Sequence, residues 1–276
     1  MPYALAIKAI DESIGLGAEW ISFTGGEPFL VFDKLLELVK YTSAAGVLKE
    51  VVTNCSWADT NQNALYHLNQ LKDAGLDALN LSVDDFHQDK ISLDNVKNCF
   101  DAAKRLGLKV VLMMAVKHDS KINSETIRRI LDDDAIQVIG EKFIHSPSAL
   151  VIESSFTPLG RGSKIPITEL DYGRWTTEGV CKQVLTDIGV KPNGDILPCC
   201  SALALRDDAI LGNIIKESLS EVICGAWNDQ RFTQIRSDGF KYSDKYVNRC
   251  HQCYELFLSQ LSYISSRLLR KSTFPT

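Results

Sequence analysis

No stretch of about 20 uninterrupted apolar residues occurs in the 276-residue chain, so nothing in it reads as a membrane-spanning helix. Excess basic charge is also missing: 30 Lys and Arg stand against 35 Asp and Glu, a net charge of −5, which leaves no electrostatic footprint for a nucleic-acid partner. Met1-Pro2 is not followed by a basic segment and an apolar core, so the sequence predicts no signal peptide. None of the 24 residues before Gly25 is a cysteine. The composition is otherwise ordinary for a globular protein, with 45% hydrophobic and 24% charged residues. Eight cysteines without a secretory signal point to metal ligation in a reducing compartment, the cytoplasm, rather than to a disulfide scaffold.

Strand and helix patterns alternate through the first half. Tyr3, Leu5, Ile7, Ile10 and Ile14 have mainly helical spacing and stop at Gly15 and Gly17. Trp20, Ile21 and Phe23 fit a short buried strand. Helices are predicted from Phe32 to near Gly46, after an N-cap at Asp59 as far as Gly75, from Leu93 to Leu106, and from Ser124 to Leu131. Strands are predicted around Val47–Val52, Ala78–Val83, Leu108–Val116 and Ala149–Glu153. The nearly continuous apolar run of the third predicts a strand covered on both faces. Such βα repeats imply a parallel sheet, doubly wound or part of a barrel.

The most informative stretch is Trp20-Ile-Ser-Phe-Thr-Gly-Gly-Glu-Pro28. A strand is stopped abruptly by Gly25 and Gly26, which let a backbone approach a ligand closely because no Cβ intervenes. Glu27 offers an acceptor to a ligand ammonium, and Pro28 stiffens the exit. An ordinary strand-to-helix turn would read the same way. This segment resembles the radical S-adenosylmethionine (SAM) enzymes, whose Gly-Gly-Glu-Pro turn holds the SAM amino group. That family also carries a CxxxCxxC loop after its first strand, whose thiolates bind the SAM-cleaving 4Fe-4S cluster, and this sequence has no such loop. The resemblance implies a (β/α)6-type barrel that is incomplete here, over residues 1–165, with its first strand and cluster loop lacking. Two more strand ends extend it. Asn54, in Val-Thr-Asn-Cys-Ser, stands where relatives have a Thr-Asn-Gly-type turn near the cofactor; its alternative role is to accept a strained turn. Ser82 and Asp84, in Leu-Ser-Val-Asp, resemble the polar pair that reaches the SAM ribose, and period-2 spacing puts both on one face. His87, in the same loop, is more simply a solvated side chain. Pro158-Leu-Gly-Arg-Gly162 resembles the Pro-x-Gly-Arg-Ala element that closes the barrel portion; Arg161 there is a candidate bidentate partner for a carboxylate, or a surface arginine of a linker.

The later cysteines make an independent case. Cys181, Gly194 and Cys199 stand in a CX12GX4C pattern, with Lys191–Pro198 reading as a hairpin whose Asn193-Gly194 turn supplies positive φ angles. Cys250 and Cys253 form a CxxC ahead of a helix carrying Leu256, Leu258, Leu261 and Ile264. Four thiolates so arranged hold either a tetrahedral zinc ion or a cubane iron-sulfur cluster. The pattern, with Leu211-Gly-Asn-Ile214, Ser218-Leu219 and Trp227, resembles the front half of the SPASM extension of peptide-modifying radical SAM enzymes. No cysteine follows Cys253, so the shortened twitch form with one auxiliary 4Fe-4S cluster is expected over 170–276, with Cys199 and Cys200 interchangeable as ligand. Cys55, Cys99 and Cys224 read as buried small hydrophobes.

The resemblance implies a peptide or small-protein maturase that reduces SAM to a 5′-deoxyadenosyl radical in its complete form, with an electron donor such as flavodoxin or ferredoxin. The chain as written is expected to bind no cluster beside Glu27 and to generate no 5′-deoxyadenosine. Three possibilities follow: a maturase whose start lies upstream, a catalytically inactive iron-sulfur or SAM-binding protein, and a zinc-stabilised binding module.

Overall fold

The computed structural model describes residues 1–142 and 144–257; the expected helix positions Leu258, Leu261 and Ile264 lie outside them. The chain divides into two compact units, Ala6–Ser154 and Ser155 onward together with Met1–Leu5.

The first unit is built from βα repeats. Helix α1 (Tyr3–Gly15) leads into strand β1 (Trp20–Phe23), helix α2 (Phe32–Ala44), strand β2 (Leu48–Thr53) and helix α3 (Asn61–Asp73). Strand β3 (Ala78–Ser82), the single-turn helix α4 (Asp85–Gln88), helix α5 (Leu93–Leu106) and strand β4 (Lys109–Val116) follow. Helix α6 (Ile127–Leu131) and strands β5 (Ile136–Val138) and β6 (Ala149–Ser155) complete it. The six strands form one sheet in the order β1-β2-β3-β4-β6-β5, with β1 to β4 paired in parallel in chain order and β5 parallel to β6. This is the mixed α/β architecture expected of a partial barrel.

One face of the sheet is apolar and meets the helices. Val51, Leu79, Leu81, Val110, Leu112 and Met114 pack with Leu35, Val39, Leu68, Leu71, Val96 and Phe100 in a single core. Burial of each such side chain contributes about 1.5–3 kcal/mol. Strand β4 departs from the sequence reading. It is covered on one face only: Val110, Leu112, Met114 and Val116 are buried, whereas Lys109 and Met113 are exposed and Val111 and Ala115 half-buried. On the face opposite the core, Asn80 Nδ2 donates to Glu50 Oε2 at 2.9 Å.

Helix limits follow local chemistry. Gly107 takes φ +69 after α5, and its N–H returns to the carbonyls of Ala103 and Lys104. The N-cap of α3 is Thr60, whose side chain accepts from Asn63 N, and not Asp59, whose carboxylate accepts from Asn63 Nδ2 instead. The helix read over Ser124–Leu131 is confined to Ile127–Leu131, because Asn123 and Thr126 bond each other's loop backbone.

The second unit carries an antiparallel three-stranded sheet, β7 (Gly189–Val190), β8 (Asp195–Leu197) and β9 (Gly212–Asn213). Of the two expected turn residues only Gly194 has positive φ, at +91. Asn193 works through its side chain, donating to Asp195 Oδ2 at 2.7 Å. Helices α7 (Leu219–Asn228), α8 (Gln230–Ser237) and α9 (Arg249–Leu256) follow. A capping box of Ser218 and Glu221 starts α7, and Asn248 caps α9. Leu203, Phe232, Ile235 and Phe257 form the core of this unit. Cys224 lies on α7 but is exposed, so the helical pattern was right and the burial was not.

Candidate cofactor and cluster sites

The Gly-Gly-Glu-Pro turn sits at the carboxyl end of β1, where parallel sheets place ligands. Gly25 and Gly26 adopt φ +91 and +61, and a Cβ built on either would meet no atom within 4 Å. The turn is therefore an open cradle whose backbone a ligand can approach directly. Glu27 is buried and its carboxylate is the knot of the turn. Its Oε1 accepts from Thr53 Oγ1 at 2.9 Å and from Phe29 N at 3.2 Å; its Oε2 accepts from Asn54 N at 2.8 Å. A carboxylate has about four lone-pair positions, so most of this one is spent on fixing β1 against the end of β2. Pro28 is buried at the first position of the following 3-10 turn.

Thr53 and Trp57, which local patterns did not single out, complete this knot. Trp57 Nε1 donates to Thr53 Oγ1 at 2.9 Å, and the Trp57 ring stacks on Phe29 at 3.7 Å between centroids. Asn54 contributes its backbone to Glu27, while its side chain accepts from Ser56 N at 2.9 Å in a local turn. The next residue, Cys55, holds φ +65, the position that a Thr-Asn-Gly turn gives to glycine. Cys55 and Cys99 are fully buried, as expected. A hydrogen bond between the two thiols, then burial, pushes the Cys55 thiol well above its ordinary range.

Ser82 ends β3 half-buried, and Asp84 follows beyond the strand. The structure spends Asp84 locally: its Oδ1 accepts from Phe86 N, His87 N and His87 Nδ1, and its Oδ2 from Ala115 N. Asp84 thus caps α4 and ties it to β4, which leaves Ser82 as the more open member of the pair. His87 is not a merely solvated side chain, since Asp84 holds its Nδ1 at 2.9 Å. Arg161 is exposed in the 3-10 segment Gly160–Lys164 and belongs to the unit that carries the later cysteines.

In that unit the cysteines come from three segments. Cys181 follows Val180 in an extended loop, Cys199 follows β8, and Cys250 and Cys253 lie on α9. Cys199 is buried in the core with Cys181 and Cys253 packed against it. Cys200, its neighbour in sequence, is exposed. Burial, and beyond it the neighbouring Cys200 and Cys250, push the Cys199 thiol up to about 11, against the hydrogen bonds of Ser201 and Leu203 N–H. Cys253 is raised further, first by burial and then by Cys199, Cys250 and Cys181, with Arg206 opposing. Cys253 therefore lies in a desolvated spot within electrostatic reach of the other three expected ligands.

That donor set suits a thiolate-bound group. Thiolates of this kind hold a cubane cluster or a single tetrahedral ion; among the described residues no group of three or more Cys, His, Asp or Glu side chains is already arranged to hold a metal ion. The open glycine cradle likewise fits a small ligand approached through backbone atoms.

Comparison with known proteins agrees with both halves. The Radical SAM superfamily model matches residues 2–131, and the SPASM model, an iron-sulfur cluster-binding domain, matches residues 181–254. YydG of Bacillus subtilis, named for peptide biosynthesis, is 22% identical over 226 residues, 80% of this chain and 66% of that protein. A GTP 3′,8-cyclase of Clostridium botulinum is 26% identical over 173 residues, 60% of this chain and 49% of the cyclase. A GTP 3′,8-cyclase of Lactiplantibacillus plantarum is 29% identical over 163 residues, 57% of this chain and 45% of the cyclase. The chain thus spans about half to two thirds of the length of these relatives. The two matched domains imply SAM and 4Fe-4S clusters as cofactors. With both domains matched in this order, the chain carries a Radical SAM domain over residues 2–131 and a SPASM iron-sulfur domain over residues 181–254, the arrangement of a radical SAM protein with a C-terminal SPASM domain.

Proposed function

We propose that the protein is, in its complete form with a CxxxCxxC loop, a peptide-modifying radical SAM maturase, with SAM at the Gly25–Pro28 turn and one auxiliary 4Fe-4S cluster on Cys181, Cys199, Cys250 and Cys253. The observation that carries this reading is the pairing of an open glycine cradle with a buried Cys253 that three other cysteines approach, in the same chain. The similarity to YydG over 80% of the chain supports a peptide as the substrate class.

Bound and reduced, SAM supplies the hydrogen-abstracting radical. The residues of the chain bind and orient. Gly25 and Gly26 offer backbone to the methionine moiety, and Glu27 holds that backbone in place through Thr53 and Asn54. Asn54 and Ser82 line the same carboxyl edge of the sheet, and Ser82 is the more available group for a ribose hydroxyl. Arg161 is a carboxylate-binding group on the other unit. Cys199 rather than Cys200 is the second-segment ligand, because it belongs to the buried core against which Cys181 and Cys253 pack. A flavodoxin or ferredoxin is the proposed electron donor. Thiolate ligation calls for a reducing compartment, so the cytoplasm is the proposed location; no helix among the described residues is long and apolar enough to cross a membrane.

The test is a SAM-dependent change of peptide mass. These residues joined to a CxxxCxxC-bearing segment and cluster-loaded are incubated with SAM, a chemical reductant and a panel of synthetic peptides, with GTP as a separate substrate, and products are read by mass spectrometry; the 276 residues alone are expected to yield no 5′-deoxyadenosine. A mass change confined to peptides is expected. Conversion of GTP with every peptide untouched would overturn the reading in favour of nucleotide chemistry like that of the cyclases.

A further inference from the structure

One of the four thiols receives a hydrogen bond from a residue outside the cysteine pattern. Ser201 Oγ donates to Cys250 Sγ at 3.3 Å, and Ser201 lies two residues after Cys199. Ser201 thus bridges the segment after β8 and the first turn of α9. A cation stands beside the helix that carries Cys250 and Cys253. Arg206 Nη1 donates to the carbonyl of Tyr254, the residue after Cys253, at 2.9 Å. Its guanidinium is held by a fork on Asp208, with Nε to Oδ1 at 2.8 Å and Nη2 to Oδ2 at 2.6 Å, and stacks on the Tyr254 ring at 5.0 Å. The side chain is only 17% exposed, so solvent screens its charge weakly.

Hydrogen bonds to ligand sulfur and nearby positive charge both favour the more negative, reduced state of a cluster. From this geometry we infer that Ser201 and Arg206 are positioning residues that raise the reduction potential of the auxiliary cluster. The inference rests on the proposed four-cysteine cluster. Ser201 acts on sulfur directly. Arg206 acts through space and through the peptide that follows Cys253. No bond is made or broken: the cluster takes up one electron from a donor, a substrate radical or an added reductant, and returns it to an acceptor.

The experiment is a potentiometric titration of the reconstituted protein, followed by electron paramagnetic resonance, with iron content measured on every sample. Ser201→Ala is expected to keep its iron and to shift the midpoint negative, by about tenfold in the reduced-to-oxidised ratio at fixed poise, roughly 59 mV for a one-electron couple. Ser201→Thr, which keeps a hydroxyl, is expected to stay close to the wild type. Arg206→Lys, which keeps the charge, should shift less than Arg206→Gln. A midpoint unmoved in Ser201→Ala and Arg206→Gln with full iron loading would overturn the inference. Loss of iron in Ser201→Ala from a wild type that loads fully would also overturn it, by making the serine a structural support. A wild type that loads no cluster would instead defeat the parent reading, and the two failures are told apart by the iron measurement alone.

Discussion

Gly26 shows how one residue separates stability from binding. A methyl group there meets open space, so the substitution costs backbone strain alone, about 1 kcal/mol for a left-handed φ of +61. Gly26→Ala is expected to lower urea stability by that amount while weakening SAM binding, measured by equilibrium dialysis, by at least tenfold. Unchanged affinity would remove the turn from the cofactor site. The pair formed by Asp84 and His87 gives a second residue-scale test. Burial pulls the Asp84 carboxyl upward, but the hydrogen bond and charge of His87 outweigh it and hold the carboxyl below its usual range. The same hydrogen bond raises His87, against burial. A raised histidine stabilises fully below its unfolded pKa of 6.5 and loses that contribution as pH rises through its folded pKa. A depressed aspartate contributes above its unfolded pKa of 3.8 and loses that contribution as pH falls through its folded pKa. The pair therefore supports the fold most in the window between, and because His87 is 40% exposed its worth is that of a surface pair. His87→Gln is expected to cost about 0.5 kcal/mol in urea unfolding near about pH 5.5 and almost nothing near about pH 9; a constant gap across pH would contradict the pairing. The glycines, Glu27 and the CxxC were legible in the sequence because their chemistry is local. Thr53, Trp57 and the working role of His87 were not: Thr53 gains its place only when the end of β2 reaches Glu27, 26 residues earlier in the chain.

At the scale of elements, boundaries written by glycine were easy to read and those written by side-chain hydrogen bonds were not. The stops near Gly46, Gly75 and Gly107 all lie just past a helix end. Asp59 and Thr60 are both acceptable N-caps in composition, and only the backbone geometry chooses Thr60. Thr60→Ala is accordingly expected to cost about 1 kcal/mol, and Asp59→Ala a few tenths, in thermal or urea unfolding. The reverse order would show that the helix starts a residue earlier. Helix α4 and strand β5 escaped notice for a different reason. Four and three residues long, they are too short to show any periodicity, and α4 exists because Asp84 caps it. The one-sided cover of β4 was hidden because Val111, Met113 and Ala115 are apolar although half-buried or exposed. The hairpin before Cys199 was legible from Asn193-Gly194, although the asparagine acts through its side chain rather than its φ.

At the scale of the whole molecule, two separate signals in one chain carry the account: a strand-end glycine turn in the first unit and a set of thiols in the second. The choice between Cys199 and Cys200 lay beyond the sequence, because adjacent residues share every spacing and differ only in which side chain the core takes in. The zinc and iron-sulfur alternatives were equally silent in the sequence, since both use thiolates at these separations. The most direct measurement is the iron, sulfide and zinc content, with the electron paramagnetic resonance spectrum, of anaerobically reconstituted wild type, Cys253→Ala and Cys200→Ala. About four irons and four sulfides per chain are expected in the wild type and in Cys200→Ala, with loss of most of both in Cys253→Ala. One zinc without sulfide, or a cluster lost in Cys200→Ala and kept in Cys253→Ala, would contradict the account.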